Sequence, residues 1–163
     1  MMNALNHKHK QDTAWRSTLI GCLSISIFII TACSLLYWLP QHYNNQQLQQ
    51  FATHLYNYPL PPHSEVVSQY AEVGLMGNGN HCDFLVRQTI VTELSQAEIE
   101  AYYDGVTLPP VNNHNQGVAP EYQGLPISVM VKYDESPSSD GRLRFTLTLL
   151  DYGDDPGLDI RCH

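Results

Sequence analysis

Hydrophobic residues dominate one charge-free block near the start of the chain. Ser17 to Leu39 contains no Asp, Glu, Lys or Arg over 23 residues. At about 1.5 Å per residue, a helix of that length spans roughly 34 Å, enough for a ~30 Å hydrocarbon core. Its middle reads Leu23-Ser24-Ile25-Ser26-Ile27-Phe28-Ile29-Ile30. Serines in such a helix can bond back to carbonyls one turn earlier, so they interrupt the apolar run at little cost. Trp15 and Trp38, the chain's two tryptophans, bracket the block, with Tyr37 beside the second. Aromatic rings favour the two membrane interfaces. A core helix would be shorter and would carry a polar face. The pattern therefore predicts a transmembrane helix over 17–39, preceded by a stub over 1–16.

Beyond it the periodicity changes. Pro40 is expected to end the span, because proline cannot continue the helical ladder. Gln41 to Gln50 is rich in Gln and Asn, a composition that also suits a stalk. Leu48, Phe51 and Leu55 fall at i, i+3 and i+7 and favour a short amphipathic helix. Residues 40–62 thus read as a juxtamembrane helix or linker, closed by the extended Pro59-Leu60-Pro61-Pro62. Residues 63–163 read as one small domain. Glu65–Leu75 and Phe84–Thr92 are strand-like, and Gly77-Asn78-Gly79-Asn80 between them suits a hairpin turn. Ser95-Gln96-Ala97-Glu98 matches a capping box; Ile99, Tyr102 and Tyr103 then share a helical face, and Gly105 offers a stop. Asp104–Leu125 reads as a long loop. Ile127, Val129, Val131 and Tyr133, and then Leu143, Phe145, Leu147 and Leu149, alternate with polar neighbours around a turn at Asp134–Gly141. That period of two marks strands with one buried and one wet face. The expected fold is α+β: an N-terminal transmembrane helix, then a small antiparallel sheet domain (β-β-α-β-β) with one packed helix.

Charge adds a direction. The chain carries 8 Lys+Arg and 16 Asp+Glu, for a net charge of −8. Residues 1–16 hold a net +2 and residues 40–163 a net −10. The basic side places the N-terminus in the cytoplasm and the domain outside, at the cytoplasmic (inner) membrane. An acidic domain is no match for nucleic acid. A second form of anchor competes: Ile30-Thr31-Ala32-Cys33 resembles a lipoprotein box, with lipidation at Cys33. The apolar run continuing through Leu35–Leu39 favours the uncleaved span.

Cys22 and Cys33 lie within the expected span, so Cys82 and Cys162 are the two outside. In an oxidising compartment such a pair is expected to bond, closing a loop of about 80 residues. A Cys-x-x-Cys redox spacing is absent. The bridge would draw His81, Asp83 and His163 together. With Asn78, Asn80 and Asp159, these form a possible ligand-binding set, though one without a recognisable zinc spacing. Asp151, Asp154, Asp155 and Asp159 do not follow a calcium-loop pattern and read as a solvated acidic turn. No phosphate-loop, metalloprotease or nucleophile-elbow motif occurs, and nothing calls for a cofactor.

The segments Gly74–Phe84, Leu94–Tyr103 and Asp155–His163 together resemble small, uncharacterised bacterial membrane-anchored envelope proteins. That resemblance implies an anchored α+β domain and no particular activity. The expectation is a non-enzymatic binding or structural module that meets the bilayer through 17–39 and an envelope protein partner through its domain. The rival expectations are a ligand- or metal-binding sensor and an envelope hydrolase.

Overall fold

The computed structural model describes residues 2–111, 125–134 and 141–163, with side chains from residue 20 onward. The chain forms two compact units, Met1–Leu39 and Pro40–His163, and one helix, α1 (Met2–Tyr56), contributes to both.

From Ile20 to Leu39 the helix is apolar on every side. Ile20, Leu23, Ile25, Ile27, Phe28, Ile29 and Ile30 are all more than half exposed. Ser24, Ser26, Thr31 and Ser34 donate to the carbonyls of Ile20, Cys22, Ile27 and Ile30 at 2.8–2.9 Å. Each hydroxyl is thereby satisfied within the helix, as expected of polar residues in an apolar run. Tyr37 and Trp38 meet edge to face, with centroids 5.9 Å apart. Cys22 and Cys33 are free thiols.

The expected stop at Pro40 does not occur. Proline removes one N–H and crowds the carbonyl a turn back, but the turns on either side keep their own bonds. After it, Asn44, Phe51, Ala52 and Leu55 are buried, with Leu48 partly so. These residues recur at helical spacing and lay an apolar stripe on the sheet. The second compact unit therefore begins at Pro40, and residues 40–56 belong to its core instead of forming a linker.

The second unit is a four-stranded antiparallel sheet in the order β1-β2-β6-β5. Its strands are β1 (Ser64–Gly74), β2 (Cys82–Thr92), β5 (Met130–Tyr133) and β6 (Leu143–Asp154). Between β2 and β5 come α2 (Gln96–Tyr103) and a two-stranded pair, β3 (Thr107–Leu108) with β4 (Ile127–Ser128). The expected long loop thus holds a short strand; residues 112–124, and 135–140 of the expected turn, lie outside the described residues. The mixed α+β architecture, both hairpin pairings and the α2 helix match the pattern of the sequence. At the start of α2, Glu98 accepts from the Ser95 amide and hydroxyl at 2.9 and 2.7 Å. Those bonds hold its exposed carboxyl below the usual carboxylate range.

One sheet face is covered. Phe84, Val86 and Ile90 on β2 and Phe145, Leu147 and Leu149 on β6 are buried with Phe51, Leu55, Ile99 and Tyr103. Tyr103 stacks obliquely on Phe145 at 6.1 Å, and burial of its hydroxyl raises its pKa. A bulge between Val66 and Ser68 reverses the alternation within β1. It lets Val66, Ala71 and Val73 all pack toward the core despite their mismatched parity.

Candidate functional site

The six C-terminal residues fold back on the domain. Cys82 opens β2 and Cys162 ends a 3-10 turn (Ile160–Cys162); the two lie at disulfide-bonding distance, Cα–Cα 4.7 Å. Around this bridge sit three buried carboxylates that the sequence reading placed in solvent. Asp151 and Asp154 are nearly inaccessible and Asp159 fully so; among the acids of 151–159 only Asp155 is exposed. The reason is that β6 runs on to Asp154, well beyond Leu149, and carries Asp151 and Asp154 into the structure, while Asp159 caps the 3-10 turn that ends at the bridge.

Asp159 is held by charge. Its two oxygens accept from Arg161 Nε at 3.0 and 3.3 Å, and Oδ2 also from Nη2 at 2.6 Å. Oδ1 caps the 3-10 turn through the Arg161 amide at 3.1 Å. Asn44 on α1 donates to Oδ2 at 2.9 Å and to Cys82 Sγ at 3.3 Å. Burial alone would raise this carboxyl's pKa, but the bonds from Arg161 and Asn44 outweigh it, and the pKa is lowered. Arg161 continues outward, donating to Asn45 Oδ1 at 2.8 Å and to the Gln41 carbonyl at 3.3 Å.

Asp83 serves the neighbouring loop. Its oxygens accept from the Met76 amide at 2.8 Å and the Gly153 amide at 3.3 Å, and His81 Nε2 lies 3.1 Å from Oδ1. Gly153 has φ +85°, a conformation that favours glycine, where β6 inserts an extra residue opposite β2. Asp83 thus satisfies the amide freed by that bulge. At Gly74 the backbone passes so close to the final turn that a Cβ would meet the Arg161 carbonyl at 3.3 Å. The same carbonyl accepts from the Leu75 amide at 2.8 Å.

The expected ligand set is therefore drawn to one end of the domain, but its members have separate duties. Asn80 bonds His163, His81 faces Asp83, and Asp159 faces Asn44 and Arg161. Asn78 is exposed on the loop. Cys82, Asp159 and Cys162 also bring potential metal donors within 4.8 Å of one another. With the two sulfurs bonded to each other, only the carboxylate remains, and a guanidinium fills it. The cluster is built to fasten the chain. Asn44 and Arg161 were missed from the sequence. Asn44 lies 115 positions from its carboxylate, and only the Asp-x-Arg spacing hinted at the second.

The other sheet face is open and polar. Register aligns two rows across all four strands: Ser68–Thr89–Thr146–Lys132 and Tyr70–Arg87–Thr148–Met130. All of these but Met130 line a shallow cavity of about 540 Å³ together with Glu72 and Asp134. Thr89 and Thr146 bond each other at 3.1 Å, Tyr70 donates to Glu72, and Asp134 lies 4.0 Å from Arg144. Among the described residues, Arg87 and Lys132 have no hydrogen bond or ion pair, which leaves two cations on this face. Comparison with protein-family models, curated proteins and solved structures finds no match.

Proposed function

We propose that the chain is a single-pass membrane protein whose domain lies outside the cytoplasm and acts as a binding or structural module of the cell envelope. One observation carries this reading. Twelve large apolar side chains between Ile20 and Leu39 stand exposed around one helix, with no polar face. Burying a single side chain of this kind is worth about 1.5–3 kcal/mol, so water as their surroundings would forgo on the order of 20–30 kcal/mol. The helix is long and apolar enough to cross a membrane. The charge asymmetry supports a cytoplasmic N-terminus, and the Cys82–Cys162 pair suits an oxidising exterior. A binding role is favoured over catalysis because the His and Asp side chains near the bridge hold backbone and neighbouring side chains. The face left uncovered is the polar one with Arg87 and Lys132.

The test is protection from protease in sealed spheroplasts of cells that express the chain. External protease should remove the domain and leave a short N-terminal fragment in the membrane pellet after carbonate washing. Recovery of the whole chain in the soluble fraction, or digestion only after the membrane is opened, would contradict the proposal.

A further inference from the structure

Five cations lie in residues 40–163, against fifteen acids. Three of the five face carboxylates: Arg142 and Glu65 at 3.5 Å, Arg144 and Asp134 at 4.0 Å, Arg161 and Asp159 at 2.6 Å. Arg87 and Lys132 are the other two, and among the described residues neither has an ion pair. Both are exposed, and both line the cavity on the open sheet face. An acidic domain thus leaves its two unmatched cations together on one surface. Register sets Arg87 beside Thr148 and Lys132 beside Thr146, on the two sides of β6. Two strand spacings across and two residues along put their Cα atoms about 12 Å apart. The ligand they suit therefore carries negative charge at more than one point along its length.

We propose that this face binds a glycan that carries carboxylates. Arg87 and Lys132 each meet a carboxylate, and the hydroxyls of Ser68, Thr89, Thr146 and Thr148 meet sugar hydroxyls. The proposal rests on the binding-module reading above and names its ligand. Serine and threonine hydroxyls both donate and accept, as sugar hydroxyls do. The bond between Thr89 and Thr146 leaves acceptor positions free on both. Tyr70 lies opposite Arg87 across the β1–β2 pair and is 49% exposed, and its hydroxyl is engaged by Glu72. Its ring thereby offers an apolar surface to the C–H face of a sugar. The lining contains no Leu, Ile, Val or Met, so an apolar ligand or an amphipathic helix has nothing to bury against. A peptide that docks on a sheet typically adds a strand to an edge, where main-chain groups are free; on this face the main chain is spent in its own ladders.

The experiment uses the full chain in detergent and three probes: a short oligogalacturonate, the same oligomer with its carboxylates methyl-esterified, and a glutamate peptide of equal length. Titration calorimetry should show binding of the oligogalacturonate that weakens as salt rises. The ester and the peptide should bind about tenfold more weakly or not at all. Arg87→Gln and Lys132→Gln should each weaken binding several-fold, whereas Arg142→Gln, which removes a cation outside the cavity, should not. A second readout needs no variant. Lys132 is the one lysine of residues 40–163, so the oligogalacturonate should slow its amine-reactive labelling several-fold while Lys8 and Lys10 label as before. Absence of binding, or unchanged labelling of Lys132, overturns the glycan proposal. Equal binding of the ester, or an equal loss in Arg142→Gln, also overturns it. Tighter binding of the glutamate peptide overturns it in favour of a peptide partner. The purified chain is free of any compartment, so each of these failures leaves the membrane-anchored reading standing, and failure of the spheroplast test leaves the binding result intact.

Discussion

Asp159 sits fully buried as a carboxylate, because Arg161 and Asn44 supply more than burial takes away. A lowered folded pKa has a definite sign. Its contribution to stability is fully present above the unfolded value of ~3.9 and is lost as pH falls through the folded one. The domain should therefore lose stability progressively below about pH 4 as this carboxylate is protonated. Asp159→Asn should cost about 1–3 kcal/mol at neutral pH, since it leaves donors with a poorer acceptor. Urea denaturation at pH 7 and at low pH checks both: the variant should show the smaller acid-induced loss. These acids were unreadable in advance. Four aspartates beside Pro-Gly look like a solvated turn, and partners such as Asn44, 115 positions away, leave no local trace.

At the scale of elements, the α1 segment after Pro40 is the clearest test of the fold. Phe51 is almost wholly buried against the sheet. Phe51→Ala should cost about 3–5 kcal/mol, whereas the exposed Gln50→Ala should stay within about 0.5 kcal/mol. A segment that served only as a linker would show neither effect. The Leu48, Phe51 and Leu55 spacing made this helix visible, but its membership of the core was hidden behind a proline and a run of Gln and Asn. The β1–β2 hairpin, α2 and the β5–β6 pair were legible because each depends on neighbours in sequence: a turn, a capping box, a period of two. Strand order and the β1 bulge depend on distant partners and were not. The bridge was legible by elimination, as the two cysteines outside the apolar block. It spans 80 positions, so Cys162→Ser should destabilise by about 4 kcal/mol in the chain-entropy picture. Hydrogen exchange should show where the chain loosens first. The Leu75 amide, bonded to the Arg161 carbonyl, should exchange faster in that variant, while amides central to β2 should keep their order of protection.

At the scale of the whole molecule, one chain carries two very different surfaces. Residues 20–39 present aliphatic side chains on all sides, and Pro40–His163 encloses an apolar core beneath one face of a sheet. The second part carries a net −10, which the +2 of the first sixteen residues reduces to −8 for the chain. The open face sets Arg87 and Lys132 beside Glu72 and Asp134 on an acidic domain, and its two cations without an ion pair among the described residues are where a carboxylate of a partner would be met. Replacing both with glutamine should weaken capture of an envelope partner by in-cell crosslinking without moving the urea midpoint, because neither side chain has a folded-state bond among the described residues.

The most direct measurement is the intact mass of the chain recovered from carbonate-washed membranes and alkylated in denaturant without reductant. The account predicts a chain that still includes residues 17–39 and carries two alkyl groups, on Cys22 and Cys33. Four alkyl groups would contradict the exterior bridge, and a chain beginning at a lipidated Cys33 would contradict the membrane-spanning helix.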